Sequence, residues 1–459
     1  MTEAIDAVLV KMIGFLFGPI MLVVYFAVGI YFTIRLHGVQ FAWFKTAFRE
    51  CVLNIRGRTG KNETGQIQSF KALATALAGC VGNGNVAGVA YAIAVGGPGA
   101  VFWMWLAALF GMATKFAEIT LAMHFREKDE DGNYRGGVMY ILSRGMKHKK
   151  IGAVLGGAFA VFTIIVSLVS CGCLQGNTIQ AALEIVTPIN PWITMIICMA
   201  VDGLVIFGGL TRISDTMAYL TPFMALVYIF FCIIILGMHA TQIPAAFAYI
   251  FRSAFQGDAI IGGVSGATMM IAMRQGVARG VFSNEAGTGS SAIVHATAKT
   301  NEPVRQSLYG IIEVFFDTIV VCTFTALVIM VTGVWNSGIT NGTVLAANAF
   351  TGSLGTFGTW ILIICLIMLC TSTFLGWSTY GEAAFAYLFG AHKVSIYRLI
   401  HMIIVGAGAL ISVQIMWDAA DTANGLMALP NLFSLFLFSS VIVKDANDFF
   451  TRYKEEHKD

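Results

Sequence analysis

Apolar runs of about twenty residues or more recur along the whole chain, separated by short polar gaps. A helix crossing the hydrocarbon of a bilayer needs about 20 mostly apolar residues, and its hydropathy leaves few other readings. Eleven such runs fall at about 12–34, 70–95, 99–124, 152–182, 190–208, 215–237, 260–295, 306–333, 357–389, 395–416 and 419–443. They predict an all-α polytopic membrane protein with about 11 transmembrane helices. Hydrophobic residues make up 57% of the 459 and charged residues only 12%, whereas a soluble domain averages roughly a quarter charged. A net charge of +3 without a basic tail gives no footprint for nucleic acid. The first run follows Glu3 and Asp6 rather than a basic segment and stops at Arg35, so it reads as a retained helix, not a cleaved signal.

Lysine and arginine test the count independently. Alternate gaps carry Arg35, Lys45, Arg49, Arg56, Arg58 and Lys61, then Arg126 to Lys150, then Arg212, then Lys299 and Arg305, then Lys393 and Arg398, and finally the tail. The intervening gaps hold only Arg252, and 334–356 has no charge. The positive-inside rule then puts the N-terminus outside and the C-terminus in the cytoplasm; the expected location is the plasma membrane of a prokaryotic cell. The expected organisation is an N-terminal helix and basic loop (1–69), a core (70–443) and a cytoplasmic tail (444–459).

Eleven spans suggest one extra helix and ten that divide five and five, at 70–237 and 260–443. An odd number of helices per half makes the halves inverted, a plan common among secondary transporters, which places broken helices at matching positions. The first helix of the first half contains Gly82, Asn83, Gly84 and Asn85. The first helix of the second half reads MRQGVARGVFSNEAGTGSS over 273–291. Both the first and the sixth core helix are therefore expected to be broken. Unwound backbone survives at membrane depth only where it lines an enclosed site, and its freed N–H and C=O groups become ligands. Glycine permits the unwinding, and the asparagine amides suit a cation and a zwitterion together. Other glycines, at 262–266 and 406–408, read as packing positions. The glycine-rich strings lack the strand and turn of a dinucleotide fingerprint. The nine cysteines match no metal spacing and read as small packing residues. The eight histidines are scattered, with His295 and His401 in apolar surroundings, so no enzyme constellation emerges. An ion channel remains a rival, because broken helices also line filters.

The strings ALATALAGCVGNGNVAGVAYAIAVGGPGAVFWMW, GMATKFAE and YRGGVMY, with RGVFSNEAGTGSSA, DTIVVCT, STFLGWSTYGE and ADTANGLMALPNL, resemble the alanine or glycine:cation symporters over about 73–432. The resemblance implies the leucine-transporter-type fold of five plus five inverted helices and amino-acid uptake driven by Na⁺, with no other cofactor. It implies a Na⁺ site from the carbonyls of Ala78 and Val81 and the hydroxyls of Ser372 and Thr373, with Asn85 at a second site. It implies substrate contacts from Asn83, Gly84 and Asn85, from Gln175, from Gln275 and Gly276 near the second break, and from Thr373. Family members selective for alanine and glycine tend to carry threonine where Asn83 stands and apolar residues near Arg274 and Gln275. The polar pocket here leaves glutamine and serine as alternatives to alanine or glycine, and H⁺ as an alternative to Na⁺.

The remaining buried charges read as structural pairs: Lys115 with Glu118, Glu285 with Arg279, and Glu313 and Asp317, four apart, with Arg274 or Arg279 as cross-helix partners that hold the second break or act as gates. Asp418 and Asp421 read as acids at a helix N-terminus. Trp103, Trp105, Trp335 and Trp360 read as an interfacial belt.

Overall fold

The computed structural model describes residues 12, 14–16, 18–55, 63–130, 132–256, 265–411 and 413–456. Its helices are α1 (Pro19–Arg35), α2 (Phe44–Asn54), α3 (Ser69–Cys80), α4 (Val89–Gly96), α5 (Gly99–His124) and α6 (Val138–Gly145). They continue as α7 (Lys149–Glu184), α8 (Pro191–Ile206), α9 (Gly209–Met238), α10 (Ile243–Gln256) and α11 (Ser265–Asn284). The last five are α12 (Pro303–Val331), α13 (Gly342–Phe389), α14 (Val394–Ala407), α15 (Val413–Leu437) and α16 (Ser439–Glu456). A short hairpin, β1 (Glu127–Lys128) with β2 (Tyr134–Arg135), joins α5 to α6. Among the described residues seven helices are long and apolar enough to cross a membrane, or nine if each of two bent pairs is one span.

Several gaps expected to be loops are helical. The uncharged stretch before the ninth span begins α13, where the Asn341 side chain accepts a hydrogen bond from the Val344 N–H and caps the helix. At 1.5 Å per residue a helix of this length would run about 70 Å, far beyond one bilayer, and Gly355 interrupts it with φ 62° and ψ −155°. The tail expected from 444 onward is helical too, since α16 turns 63° away from α15 and carries a polar face. Trp43 stacks on its Phe450, 4.1 Å between ring centroids, which holds the tail against the N-terminal segment. Three of the expected belt tryptophans pack against α10 instead of standing free: Trp103 on Phe255, Trp105 on Phe247 and Phe251, and Trp335 on Tyr249.

The interior is built around α5, against which α11 and α12 pack, while α3 lies against α9 and α13. Small residues allow the closest approaches. A Cβ on Gly376 of α13 would stand 2.8 Å from the Gly79 nitrogen, so the two helices meet backbone to backbone. The face bearing the basic gaps is tied shut. Ile67 bridges to Ala298, and the Arg126 guanidinium donates to the carbonyls of Thr64, Ala296, Ala298 and Thr300 at 3.3, 3.2, 2.8 and 2.6 Å. Lys71 at the start of α3 bonds Asp215 of α9 at 2.5 Å.

Candidate functional site

The first break lies where the glycine and asparagine residues foretell it. Helix α3 stops at Cys80, Val81 is extended (φ −77°, ψ 91°), and a π turn over Gly84–Gly88 leads into α4 at a 49° bend. Asn85 organises the gap. Its Oδ1 accepts from the Gly82 N–H at 2.8 Å, and its Nδ2 donates to Asp317 Oδ1 of α12 at 2.7 Å. In a continuous helix the Gly82 N–H would bond the Ala78 carbonyl, so the asparagine side chain frees that oxygen. Gly82 is obligatory for a second reason: a Cβ there would meet Thr373 Oγ1 at 2.1 Å. Thr373 and Ser372 both donate to the Leu369 carbonyl, at 2.9 and 2.8 Å, leaving each hydroxyl oxygen with lone pairs to offer.

Beside the break is a cavity lined by Gly82, Asn83 and Gly84, by Cys171 and Gln175 of α7, and by Phe282 and Glu285 at the end of α11. Thr373 and Trp377 of α13 and Asn424 of α15 complete its wall. Asn83 donates to Thr178 Oγ1 at 2.9 Å and Gln175 donates to the Ser170 carbonyl at 3.4 Å. Their amide oxygens, Asn83 Oδ1 and Gln175 Oε1, are buried and meet no donor among the described residues. Two unmet acceptors on residues that line one cavity are a costly arrangement for a protein alone, and a ligand carrying N–H donors would relieve it. Phe282 lies beneath the Arg279 guanidinium, 5.5 Å from the ring centroid, and Arg279 in turn bonds Asp421 of α15. Ties thus exist beyond the cavity as well as on the basic face.

The second break begins at Glu285 and ends at Ser291, ten residues beyond the expected Gln275 and Gly276. Asn284 terminates α11 by accepting the Ala286 N–H at 2.9 Å, and Glu285 has φ 57°. The unwound residues are gripped from several helices. Glu118 of α5 accepts from the Gly287 N–H at 2.8 Å and from Asn431 Nδ2 at 2.6 Å, and Asn431 also donates to the Gly287 carbonyl at 2.9 Å. Lys115 donates to Ser291 Oγ at 2.8 Å and lies 3.4 Å from Glu313 and 3.9 Å from Glu118. Gln306 donates to His295 Nδ1 at 2.8 Å, so the ring proton sits on Nε2 and goes to Glu313 at 2.9 Å. Glu285 accepts from Trp377 Nε1 at 2.6 Å and from Ser290 Oγ.

These contacts correct several expected partners. Lys115 and Glu118 do share a helix face, yet the nearer carboxylate is Glu313. Arg279 bonds Asp421, not Glu285, and Asp421 is buried inside α15 rather than capping it, because α15 starts at Val413. The Asp418 side chain lies outside the described residues. Asp317 takes hydrogen bonds from Asn85, Ser283 and Thr318 at 2.7, 2.8 and 2.7 Å rather than an ionic partner. His295 and His401 are each 2.9 Å from a carboxylate, Glu313 and Asp202.

Of the expected site residues, Asn83, Gly84, Gln175 and Thr373 meet at the cavity. Asn85 turns toward α12 and holds the break from behind. Ala78 on α3, Val81 just beyond its end, and Ser372 and Thr373 on the facing helix α13 are all buried. Gln275 and Gly276 stand apart in unbroken helix: a Cβ on Gly276 would meet the Ala100 carbonyl at 2.2 Å, and Gln275 packs on Gly96. Phe282, Trp377 and Asn424 were not singled out in the sequence. The pairs of turn-forming residues around Gly287 and Gly289 carried the signal for the second break.

Two interrupted helices beside a polar pocket within a helical membrane core define a class of multi-pass membrane proteins in which unwound backbone lines an enclosed cavity. The chain belongs to the sodium:alanine symporter family, whose model matches residues 2–459. It is 41% identical to the sodium/alanine symporter AgcS of Methanococcus maripaludis over 97% of each chain. It is 35% identical to the probable sodium/glutamine symporter GlnT of Bacillus subtilis, over 97% of this chain and 90% of that one. Its fold is similar to that of MhsT crystallised with L-phenylalanine, with a TM-score of 0.61 at 13% identity, covering 83% of this chain and 93% of that chain.

Proposed function

We propose that this protein carries a small neutral amino acid, alanine or glycine first, into the cell together with Na⁺ by alternating access. Family membership supports Na⁺-coupled amino-acid transport, and the observation that carries the finer reading is the cavity at the first break with its two unmet amide oxygens. The amino acid's ammonium group donates to those oxygens, and its carboxylate takes N–H groups of the unwound segment at Asn83 and Gly84. Na⁺ is held by the freed carbonyls of Ala78 and Val81 and the hydroxyls of Ser372 and Thr373. Because Thr373 touches both the cavity and Gly82, the ion and the substrate favour the same arrangement of α3 against α13, which is reciprocal linkage. The ties at Arg126 and Lys71 on one side and at Arg279 on the other support an occluded state that opens by releasing one set at a time.

The proposal takes eleven crossings, adding α8 and α11 to the nine spans, in two inverted halves with the N-terminus outside. In this arrangement Gln275 and Gly276 serve helix packing. A second substrate reading, glutamine or serine, is favoured by the polar Asn83, whose oxygen can also receive a side-chain donor. The test is uptake of radiolabelled alanine into proteoliposomes, with and without an inward Na⁺ gradient, competed by glycine, serine and glutamine. Na⁺-driven accumulation blocked best by glycine supports the first reading, and blocked best by glutamine the second. Accumulation driven by a proton gradient alone, or none that any of these amino acids competes, overturns the Na⁺-coupled proposal.

A further inference from the structure

Asp202 and His401 take no part in the site described above. They lie on α8 and α14, which pack together, and both side chains are fully buried. His401 Nδ1 stands 2.9 Å from Asp202 Oδ2. The two remaining polar atoms, Asp202 Oδ1 and His401 Nε2, meet no partner among the described residues. The open ring nitrogen faces a particular stretch of backbone: a Cβ on Gly172 would stand 3.9 Å from it. Gly172 belongs to the π turn Val166–Cys173 of α7, which also carries Cys171 of the cavity wall and immediately precedes the helical turn bearing Gln175. A second polar track reaches the same region, since Tyr397 OH is 2.8 Å from Ser167 Oγ, which donates to the Trp377 carbonyl at 2.9 Å.

Charge balance decides what this pair holds. A carboxylate beside a neutral imidazole leaves one uncompensated negative charge in an apolar interior, whereas one added proton makes the pair neutral as a whole. Among the described residues no lysine or arginine is paired with Asp202. Cys198 lies one turn before Asp202 on α8, and Tyr397, one turn before His401 on α14, has its ring centroid 5.9 Å from the imidazole; neither carries a positive charge. The arginine of α14, Arg398, is engaged by both oxygens of Glu382 at 2.8 and 2.9 Å.

We propose that Asp202 and His401 form a binding site for one exchangeable proton, and that its occupancy sets how tightly the adjacent cavity holds its amino acid. The proton comes from water and bonds to the Nε2 lone pair, while Nδ1–H stays on Asp202; release returns it to water with no other reactant. With Nε2 protonated, the ring becomes a donor aimed at the π turn, where backbone carbonyls are less regularly engaged than in an α-helix. Moving that turn moves Gln175. The second half of the proposal rests on the transport reading, and the first half does not.

The test uses the full-length protein, labelled with ¹⁵N-histidine and reconstituted in liposomes. Solid-state NMR between about pH 5 and pH 9 should show one imidazole, absent from His401→Gln, that loses a single nitrogen-bound proton as the pH rises and whose titration moves in Asp202→Asn. An imidazole assigned to His401 that keeps one state throughout overturns the proton site. In parallel, the KM for alanine at saturating Na⁺ should change roughly tenfold across that range in the parent protein and stay flat in His401→Gln, with little change in maximal rate. His401→Asn serves where the glutamine variant fails to fold. A KM independent of pH beside a titrating His401 overturns the link to the cavity. Absence of any alanine uptake sinks the transport reading while the NMR result still decides the proton site.

Discussion

The two helix breaks use opposite chemistry. At the first, the gap is spanned by neutral amides, and two buried amide oxygens of residues lining the cavity have no donor among the described residues. At the second, the charged groups Glu118, Lys115 and Glu285, with Trp377 and Asn431, grip the unwound segment, while Glu118 Oε2 and Asn431 Oδ1 accept no hydrogen bond among the described residues. Backbone that leaves the helix inside a membrane must find partners. The first break is held by neutral amides beside a cavity, and the second by charged side chains reaching in from several helices. The lesson is that an interrupted helix is not in itself a binding site; the two breaks differ in whether neutral amides or charged side chains hold the unwound backbone.

If this contrast is right, the second break should fail through folding and the first through function. The largest effect belongs to Lys115→Met, which leaves Glu118 and Glu313 buried without their cation and should destabilise the protein by about 3–5 kcal/mol. Thermal unfolding in detergent would read this as a marked fall in Tm, and an unchanged Tm would break the account of the second break. Next is Gly82→Ala, whose methyl group meets the Thr373 hydroxyl; at roughly 1–3 kcal/mol of overpacking, Na⁺-driven uptake should drop by one to two orders of magnitude while the folded yield is kept. Asn83→Thr should be smaller still. It removes one unmet oxygen, and the ratio of glutamine to alanine inhibition should fall by roughly tenfold, measured by competition in proteoliposomes. At the bottom, Arg144→Ala breaks a surface pair with Glu127 and should alter stability by no more than about 0.5 kcal/mol. A larger change there would mean that the exposed hairpin matters more than either break.

The sequence carried the first break in full, because two asparagines between glycines have no comfortable place on a lipid-facing helix. It carried the existence of the second break but not its position. Gly276 drew the reading toward 275–276, yet that glycine lets α11 approach Ala100 and Trp103. Glycine serves close packing and unwinding alike, and only the neighbouring Asn284 and the turn residues after it separate the two uses. Ionic partners were legible where they share a helix face, as with Lys115 and Glu118. They were not legible across helices, where Arg279 reaches Asp421 some 142 positions away. Helix α13 shows a different limit: an uncharged gap reads as an outer loop by the charge rule, although its composition suits a helix, and Gly355 alone marks the bend.

Trp377 stands in both regions at once. One surface of its ring is wall to the cavity, and its N–H is bound to Glu285 at the second break. A residue with two such duties has little freedom to vary. Were a descendant of this protein to acquire a new substrate, reshaping this indole would disturb its bond to Glu285, whereas Asn83 and Gln175 each have an amide oxygen bound to no donor among the described residues. Divergence in diet should therefore be written at positions 83 and 175 long before it reaches 377.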